Sequence, residues 1–270
     1  MSLARYREQV VVVLKGVQAV LSLAANIYIL LAVLAVSIAF MVGLNRIWPV
    51  SRRYTSNDQI GWQLNILGTT YAVILGFMLY TGWNAFSAAT LNANLEASAL
   101  RSIFRLSEGL PAQQRTLLEQ QVRAYADAVV DEDWPRMARG ELPETSHLIN
   151  ESMWRTLMSV KNVSPSESNA EDHALSELSS LTQYRRTRLL QSVTRLPTIF
   201  WCVLWVGGIL TVASASMIGW MSARLHAIQV CSLTLLVTLV MLAISDVDRP
   251  YQGWVHISDY PFRRAQENMH

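Results

Sequence analysis

Residues 64–83 read LNILGTTYAVILGFMLYTGW, and after them neither Gly nor Pro occurs before Gly109 and Pro111. A stretch of about 20 mainly apolar residues is long enough to cross a lipid bilayer. Because Gly and Pro commonly end helices, the spacing predicts one helix over about residues 60–108 that leaves the membrane near Trp83. At 1.5 Å per residue this helix is roughly 70 Å long, so one element is expected to join the membrane to the polar part of the chain.

Four intervals of the sequence carry no charged residue: 16–45, 59–95, 196–223 and 225–245. Each contains enough apolar residues for one membrane span. Over the whole chain only 16% of residues are charged, whereas average soluble proteins carry roughly 25%. Since no strand pattern stands out, the predicted fold is all-α: a four-span transmembrane helical bundle with a helical cytosolic domain.

The alternation of apolar and polar segments predicts four parts. Residues 1–84 hold an N-terminal segment and the first two spans, 85–195 the cytosolic helical domain, 196–245 the last two spans, and 246–270 a cytosolic C-terminal tail. Within the polar part, residues 163–172 (VSPSESNAED) are expected to form a loop.

Arginine is unequally distributed about the predicted spans. The side that holds both termini has more arginine near the membrane than the opposite side, where Arg46, Arg52, Arg53 and Arg224 lie. The positive-inside rule therefore places both termini in the cytoplasm of a multi-pass inner (plasma) membrane protein. The sequence contains no run of Lys and Arg that would indicate a nucleic-acid partner.

No sequence motif of a common enzyme class is present, whether a phosphate-binding loop, H-E-x-x-H, G-x-S-x-G or C-x-x-C. The spans also lack acids and histidines near their centres. Proton-coupled transporters use ionisable groups at membrane depth, so the sequence argues against such coupling but permits a passive pore. The chain is not expected to be an enzyme.

One face of the second span carries small and polar residues at a spacing of three or four. Gly68, Ala72 and Gly76 favour close packing against another helix, whereas a continuous polar stripe favours a pore or a subunit interface; both interpretations remain open. The candidate pore-lining residues, here named the polar stripe, are Asn65, Thr69, Ala72, Gly76, Tyr80 and Asn84.

Asn92 and Glu96 lie one turn apart further along the same predicted helix, beyond the membrane. They either belong to a solvated face or line a cytoplasmic vestibule.

Two acids stand at the end of the fourth span, in SDVDRPYQGW, residues 245–254. A helix C-terminus carries partial negative charge, so acids are mildly unfavourable there and need partners. Either arginines such as Arg249, Arg101 and Arg105 pair with Asp246 and Asp248, or the two carboxylates and free carbonyls coordinate calcium. Calcium takes roughly six to eight oxygen ligands of these types.

Four stretches of the chain resemble a family of bacterial membrane proteins called bestrophin-like. They are GTTYAVILGFMLYTGW (68–83), NANLEASALRSIFRLSEGLP (92–111), YADAVVDEDWPRMARGE (125–141) and DRPYQGWVHIS (248–258). The resemblance implies similarity to bestrophins, which are oligomeric anion channels with four spans, a helical cytosolic domain and a pore lined by the second span. It also implies a calcium site in an acidic cluster after the last span.

The chain departs from that pattern in two places. Its tail offers only Asp246, Asp248 and Asp259 before the last few residues, and Phe77 and Tyr80 are the nearest candidates for an aromatic neck. The resulting prediction is a homo-oligomeric ion channel that conducts anions, with lipid, ions and further copies of the chain as partners and calcium as the candidate cofactor. The alternative is a non-conducting membrane scaffold or sensor that binds a partner through its cytosolic helices.

Overall fold

The computed structural model of the chain describes residues 3–160 and 164–269, and for residues 3–22 it describes the backbone alone. These residues form helices and turns without a strand, which confirms the all-α prediction. In chain order the helices are α1 (Leu3–Ile47), α2 (Val50–Arg53), α3 (Asn57–Leu106), α4 (Ala112–Ala128), α5 (Trp134–Ala138), α6 (Thr145–Leu157), α7 (Pro165–Val193), α8 (Thr198–Met217), α9 (Ala223–Val247) and α10 (Tyr260–Glu267).

The second predicted span and the segment after it form one continuous helix. Helix α3 is 50 residues long, and a short 3-10 turn at Ser107–Gly109 comes directly after it. At 1.5 Å per residue its length is about 75 Å. The prediction of a single helix across this region is therefore confirmed. The helix contains no proline, and after Gly82 it contains no glycine.

Contacts divide the chain into two compact units, here named the membrane unit (Met1–Trp83 and Leu196–Asp248) and the polar unit (Asn84–Arg195 and Arg249–His270). Among the described residues, four helical segments are long and apolar enough to cross a membrane: Leu23–Ile47, a segment within Val50–Gly109, Thr198–Met217 and Ala223–Val247. The predicted number of spans is thus confirmed.

Glycine permits close contact between helices inside the membrane unit. A Cβ atom on Gly207 would lie 2.5 Å from the Tyr71 ring, and one on Gly82 would lie 2.8 Å from Val247. The Tyr71 hydroxyl donates to the Leu204 carbonyl at 2.8 Å, so α3 and α8 are joined by a polar contact as well as by packing. The core of this unit consists of Tyr71, Leu75, Met78, Leu204, Val237, Met241 and Ile244.

Arg53, at the end of α2, is fully buried in the membrane unit. Its guanidinium donates to the carbonyls of Ser216 (3.1 Å) and Met217 (3.4 Å) and to the side-chain oxygen of Asn45. The last carbonyls of a helix have no partner within it and carry partial negative charge. Arg53 therefore caps the C-terminus of α8 and is not a solvated loop charge.

The core of the polar unit is formed by α4, α6, α7, α10 and the last part of α3. A π-helical stretch, Val129–Asp133, lies between α4 and α5. Fully buried apolar side chains fill the space between these helices: Leu100, Ile103, Leu118, Val122, Met137, Met153, Leu157, Leu178, Leu181 and Phe262.

The predicted loop over residues 163–172 is wrong for its greater part, because α7 begins at Pro165. Ser164 and Glu167 form a capping box: the Ser164 hydroxyl accepts from the Glu167 N–H at 3.3 Å, and the Glu167 carboxylate accepts from the Ser164 N–H at 2.7 Å. Proline is favoured in the first helical turn. The sequence S-P-S-E therefore starts a helix, whereas Val163 lies outside the described residues.

We expect Arg53→Met to destabilise the protein by about 2–5 kcal/mol, because buried acceptors that lose their donor cost about 1–3 kcal/mol each. Thermal unfolding in detergent would measure the loss. Arg52→Met is the matched control, since Arg52 is exposed on the same helix. An equal loss in both variants would contradict a capping role for Arg53.

Candidate functional site

All six residues of the polar stripe are exposed. Tyr80 has 63% of its surface accessible. The opposite face of α3 is the buried one, where Tyr71, Leu75 and Met78 contact the rest of the membrane unit. The described residues of the chain therefore leave the stripe uncovered, and it is available to lipid, to ions or to a second copy.

Close packing of α3 within the chain does not use the small residues that the sequence pattern singled out. A Cβ atom on Gly68 or Gly76 would meet nothing within 4 Å. Within the membrane unit, Gly82 and Gly207 lie at tight helix contacts instead. The packing interpretation of the stripe within one subunit is thus not supported, and a role for it requires a partner outside the described chain.

The vestibule assignment of Asn92 and Glu96 is corrected by the structure. Asn92 is buried, and its side-chain amide donates to the Tyr184 carbonyl at 2.8 Å. Glu96 is completely buried. Neither side chain faces solvent, because both point into the polar unit and are bonded to helices that are distant in sequence.

Glu96 belongs to a buried ion-pair network centred on Arg188. The Arg188 guanidinium donates to both Glu96 carboxylate oxygens, at 2.7 and 3.1 Å, and to one Asp133 oxygen at 2.9 Å. The Tyr125 hydroxyl donates to Glu96 at 2.7 Å. These four side chains join α3, α4, the π-helical stretch and α7, and we name them the Arg188 network.

Aromatic rings and further polar groups surround the network. The Arg188 guanidinium carbon lies 5.4 Å from the Trp134 ring centre and 5.9 Å from that of Phe262, within the range of cation–π attraction. The Ser146 hydroxyl donates to Asp133 at 2.7 Å and accepts from Arg185 at 2.7 Å. Two arginines therefore balance the two acids, as a buried cluster of charges requires.

Burial and charge act in opposite directions on Arg188. Burial by itself lowers the pKa of its guanidinium, but the nearby Glu96 and Asp133 carboxylates outweigh that effect and hold the pKa well above its usual range. Burial, reinforced by the Glu96 carboxylate, also raises the pKa of the Tyr125 phenol well above its ordinary value. Arg188 therefore stays charged and Tyr125 stays a neutral donor at any physiological pH.

Two of the stretches that carry the family resemblance contact each other in the polar unit. The Trp134 indole N–H donates to the Ile257 carbonyl at 3.0 Å, and its ring packs edge-on against Tyr251 at 5.5 Å. Gln252 donates to the Met137 carbonyl at 3.2 Å. The C-terminal segment thus covers the π-helical stretch, and Gly253, with a φ of 81°, supplies the left-handed turn that returns it.

Arg188, Asp133 and Tyr125 do not stand out in the sequence as parts of a site. A signal for Arg188 exists in α7, where the buried positions follow helical spacing and include two arginines: Ala174, Leu178, Leu181, Arg185, Arg188 and Ser192. Arginine on the apolar face of an amphipathic helix needs a buried acid as partner. That pattern predicts an ion pair, although it does not identify the acid.

Asp248 is bonded to the backbone at the start of the third span. Its carboxylate accepts from the Leu196 N–H at 2.8 Å, just before α8 begins at Thr198. An acid is unfavourable at the C-terminus of its own helix but favourable beside the N-terminus of another. This contact accounts for Asp248, while the predicted cationic partners of Asp246 and Asp248 stay predictions.

The described side chains do not assemble a calcium site around these acids. Among the side chains that the structure describes, in residues 23–160 and 164–269, no three His, Cys, Asp or Glu side chains come together in a way that could hold a metal ion. Asp259, the third acid of the tail, pairs with Arg263 at 3.1 Å. Two carboxylates are far fewer than the roughly six to eight oxygens that calcium takes, so calcium binding stays a prediction.

A family model described as Bestrophin-like domain matches residues 20–262. Solved structures of mutant forms of a bacterial bestrophin homologue from Klebsiella pneumoniae share the fold. One has a TM-score of 0.68 at 14% identity and covers 90% of this chain and 98% of its own. Another has a TM-score of 0.67 at 14% identity and covers 90% and 97%. No curated protein matches the chain.

We expect Arg188→Met to destabilise the protein by about 3–5 kcal/mol, because it removes the only cation paired directly with the buried Glu96 and Asp133 carboxylates among the described residues. Arg186→Met is the matched control, since Arg186 is exposed on the same helix. Chemical unfolding in detergent, followed by circular dichroism, would measure both. A loss smaller than about 1 kcal/mol for Arg188→Met would contradict the network's structural role.

We expect Asp248→Ala to lower the Tm equally in calcium and in chelator, because the lost contact is the hydrogen bond to the Leu196 N–H. We expect the free energy of unfolding to fall by about 1–2 kcal/mol, as it does for the loss of a helix cap. Asp246→Ala, examined in the same two buffers, is the companion variant. A calcium-dependent rise in Tm for the wild type that both variants lose would instead establish a cation site.

Proposed function

The chain belongs to the bestrophin-like family, and we propose that it forms a homo-oligomeric ion channel whose pore is lined by the polar stripe of α3. Membership of the family and the fold support a membrane channel rather than an enzyme. The single observation that carries the finer proposal is the exposure of the whole stripe in a subunit that does not use it for packing.

The composition of the stripe is suited to ions that keep part of their hydration. Asn65, Thr69 and Asn84 offer amide and hydroxyl groups, and Gly76 leaves space and an accessible backbone. Repeated around a symmetry axis, the same residues form rings, which is how selectivity in channels is commonly built. A second copy is needed because one helix cannot enclose a path.

Anion conduction is supported by where the acids lie. No acid occurs between Gln59 and Leu95, so the stripe itself carries no fixed negative charge. The first acid beyond it, Glu96, is buried and neutralised by Arg188. Amide and hydroxyl donors along the stripe can therefore interact with anions without a carboxylate inside the stripe itself, whereas the exposed Asp58 lies in the first turn of α3, before the stripe begins.

Orientation belongs to the same proposal. The excess of arginine on the side of the termini favours a cytoplasmic polar unit in the inner membrane. A reporter inserted near Ser166 should then read cytoplasmic and one near Ser56 external; the reverse result would reject this orientation.

We expect Gly76→Leu to lower ion flux at least tenfold in liposomes that contain the purified protein, or to prevent oligomer assembly. A Cβ atom at this position meets no described atom within 4 Å in its own subunit, so we expect a defect to reflect contacts around the shared axis. Gly43→Leu is the matched control, because Gly43 also lies in a span with nothing within 4 Å of its Cβ position.

Reversal potentials in a KCl gradient would then separate anion from cation conduction. Protein that is monomeric in several detergents and in nanodiscs would contradict the pore. An oligomer without flux would favour the alternative, a non-conducting scaffold or sensor.

A further inference from the structure

The membrane unit contains an apolar groove of about 470 Å³ between α1, α8 and α9. Its volume falls within the roughly 300–1,000 Å³ of small-molecule sites. Every lining residue is uncharged, and several large side chains on its rim are exposed. Those rim residues are Val36, Phe40, Trp205 and Ile209.

Thr234 gives this apolar groove an unusual polar feature. Its side chain lines the groove and only 1% of the residue is accessible, yet its hydroxyl has no hydrogen-bond partner among the described residues. Hydroxyls on membrane helices normally donate to the carbonyl four residues earlier. Thr211 and Ser216 in the same unit do so, at 2.7 and 2.9 Å, and Thr234 does not.

The depth of Thr234 limits what can satisfy it. It lies 11 residues after the start of α9 at Ala223 and 13 before its end at Val247, or about 17 and 20 Å along the helix. That position is near the middle of a hydrocarbon layer about 30 Å thick. Phospholipid acyl chains carry no hydrogen-bonding group at this depth, so they would fill the groove but leave the hydroxyl without a partner.

We propose that this groove binds a membrane-soluble molecule with an apolar body and one hydrogen-bonding group, such as a hydroxyl or a carbonyl, which pairs with Thr234. The buried hydroxyls of Ser37 and Thr238 line the same groove and add polar surface near that group. The site lies within one subunit and does not depend on conduction, so it stands or falls separately from the proposed channel.

Photolabelling in nanodiscs tests the proposal, with a diazirine-bearing octanol as the probe and 1-octanol or octane as competitors. We expect adducts on residues 32–40, 205–213 and 234–241, displaced by 1-octanol at concentrations that leave octane without effect. Thr234→Val should raise the half-saturating probe concentration about three- to tenfold, since one hydrogen bond is lost. Thr234→Ser should preserve wild-type labelling.

Thr211→Val is the matched control, because it removes a hydroxyl already bonded within its own helix and outside the groove. Ala32→Phe should abolish labelling by filling the groove from its exposed side. Displacement by octane as effective as that by octanol, together with unchanged labelling of Thr234→Val, would overturn the proposal in favour of an acyl chain. Labelling that is lost whenever the protein is oligomeric would overturn it in favour of a second copy covering the groove.

Discussion

Arg188 carries a full positive charge on a side chain with no accessible surface, and the polar unit is arranged around it. A buried guanidinium is tolerated only when acids and hydrogen-bond acceptors reach it in good geometry. Glu96 from α3 and Asp133 from the π-helical stretch both do so, with distances between 2.7 and 3.1 Å. Trp134 and Phe262 close the site with aromatic faces. The positions of α3, α7 and the C-terminal segment within this unit are therefore mutually constrained.

The membrane unit depends on a related use of charge at the two ends of α8. Arg53 donates to the carbonyls at its C-terminus, and Asp248 accepts from the Leu196 N–H just before its N-terminus. A cation at the C-terminal end and an anion at the N-terminal end both complement the helix dipole. Arg53 and Asp248, whose charges have no evident role within their own segments, thus stabilise the two ends of α8.

What the chain leaves exposed matters as much as what it buries. The buried face of α3 is apolar and aromatic, while its small and polar face is free. The groove between α1, α8 and α9 is likewise open at a rim of large apolar side chains. Exposed surfaces on a membrane protein are covered by lipid, by ligand or by other copies. The two surfaces differ because the stripe carries exposed polar groups along its length, whereas the polar groups of the groove are the buried hydroxyls of Ser37, Thr234 and Thr238.

Hydropathy and the positions of Gly and Pro were sufficient to predict four spans, an all-α fold and the continuity of α3, because these properties depend on residues that are near each other in sequence. The capping box at Ser164 is equally local. The start of α7 was nevertheless predicted as a loop, because Ser and Pro are also common in loops. The environment of Glu96 could not be inferred in this way. Its partners, Tyr125 and Arg188, are 29 and 92 residues away, and the carbonyls that accept from Arg53 at the end of α8 are 163 and 164 residues away. Charge alone made these side chains look solvated, and only tertiary packing decided that they are buried, since pairing of buried charges is set by contacts between distant segments.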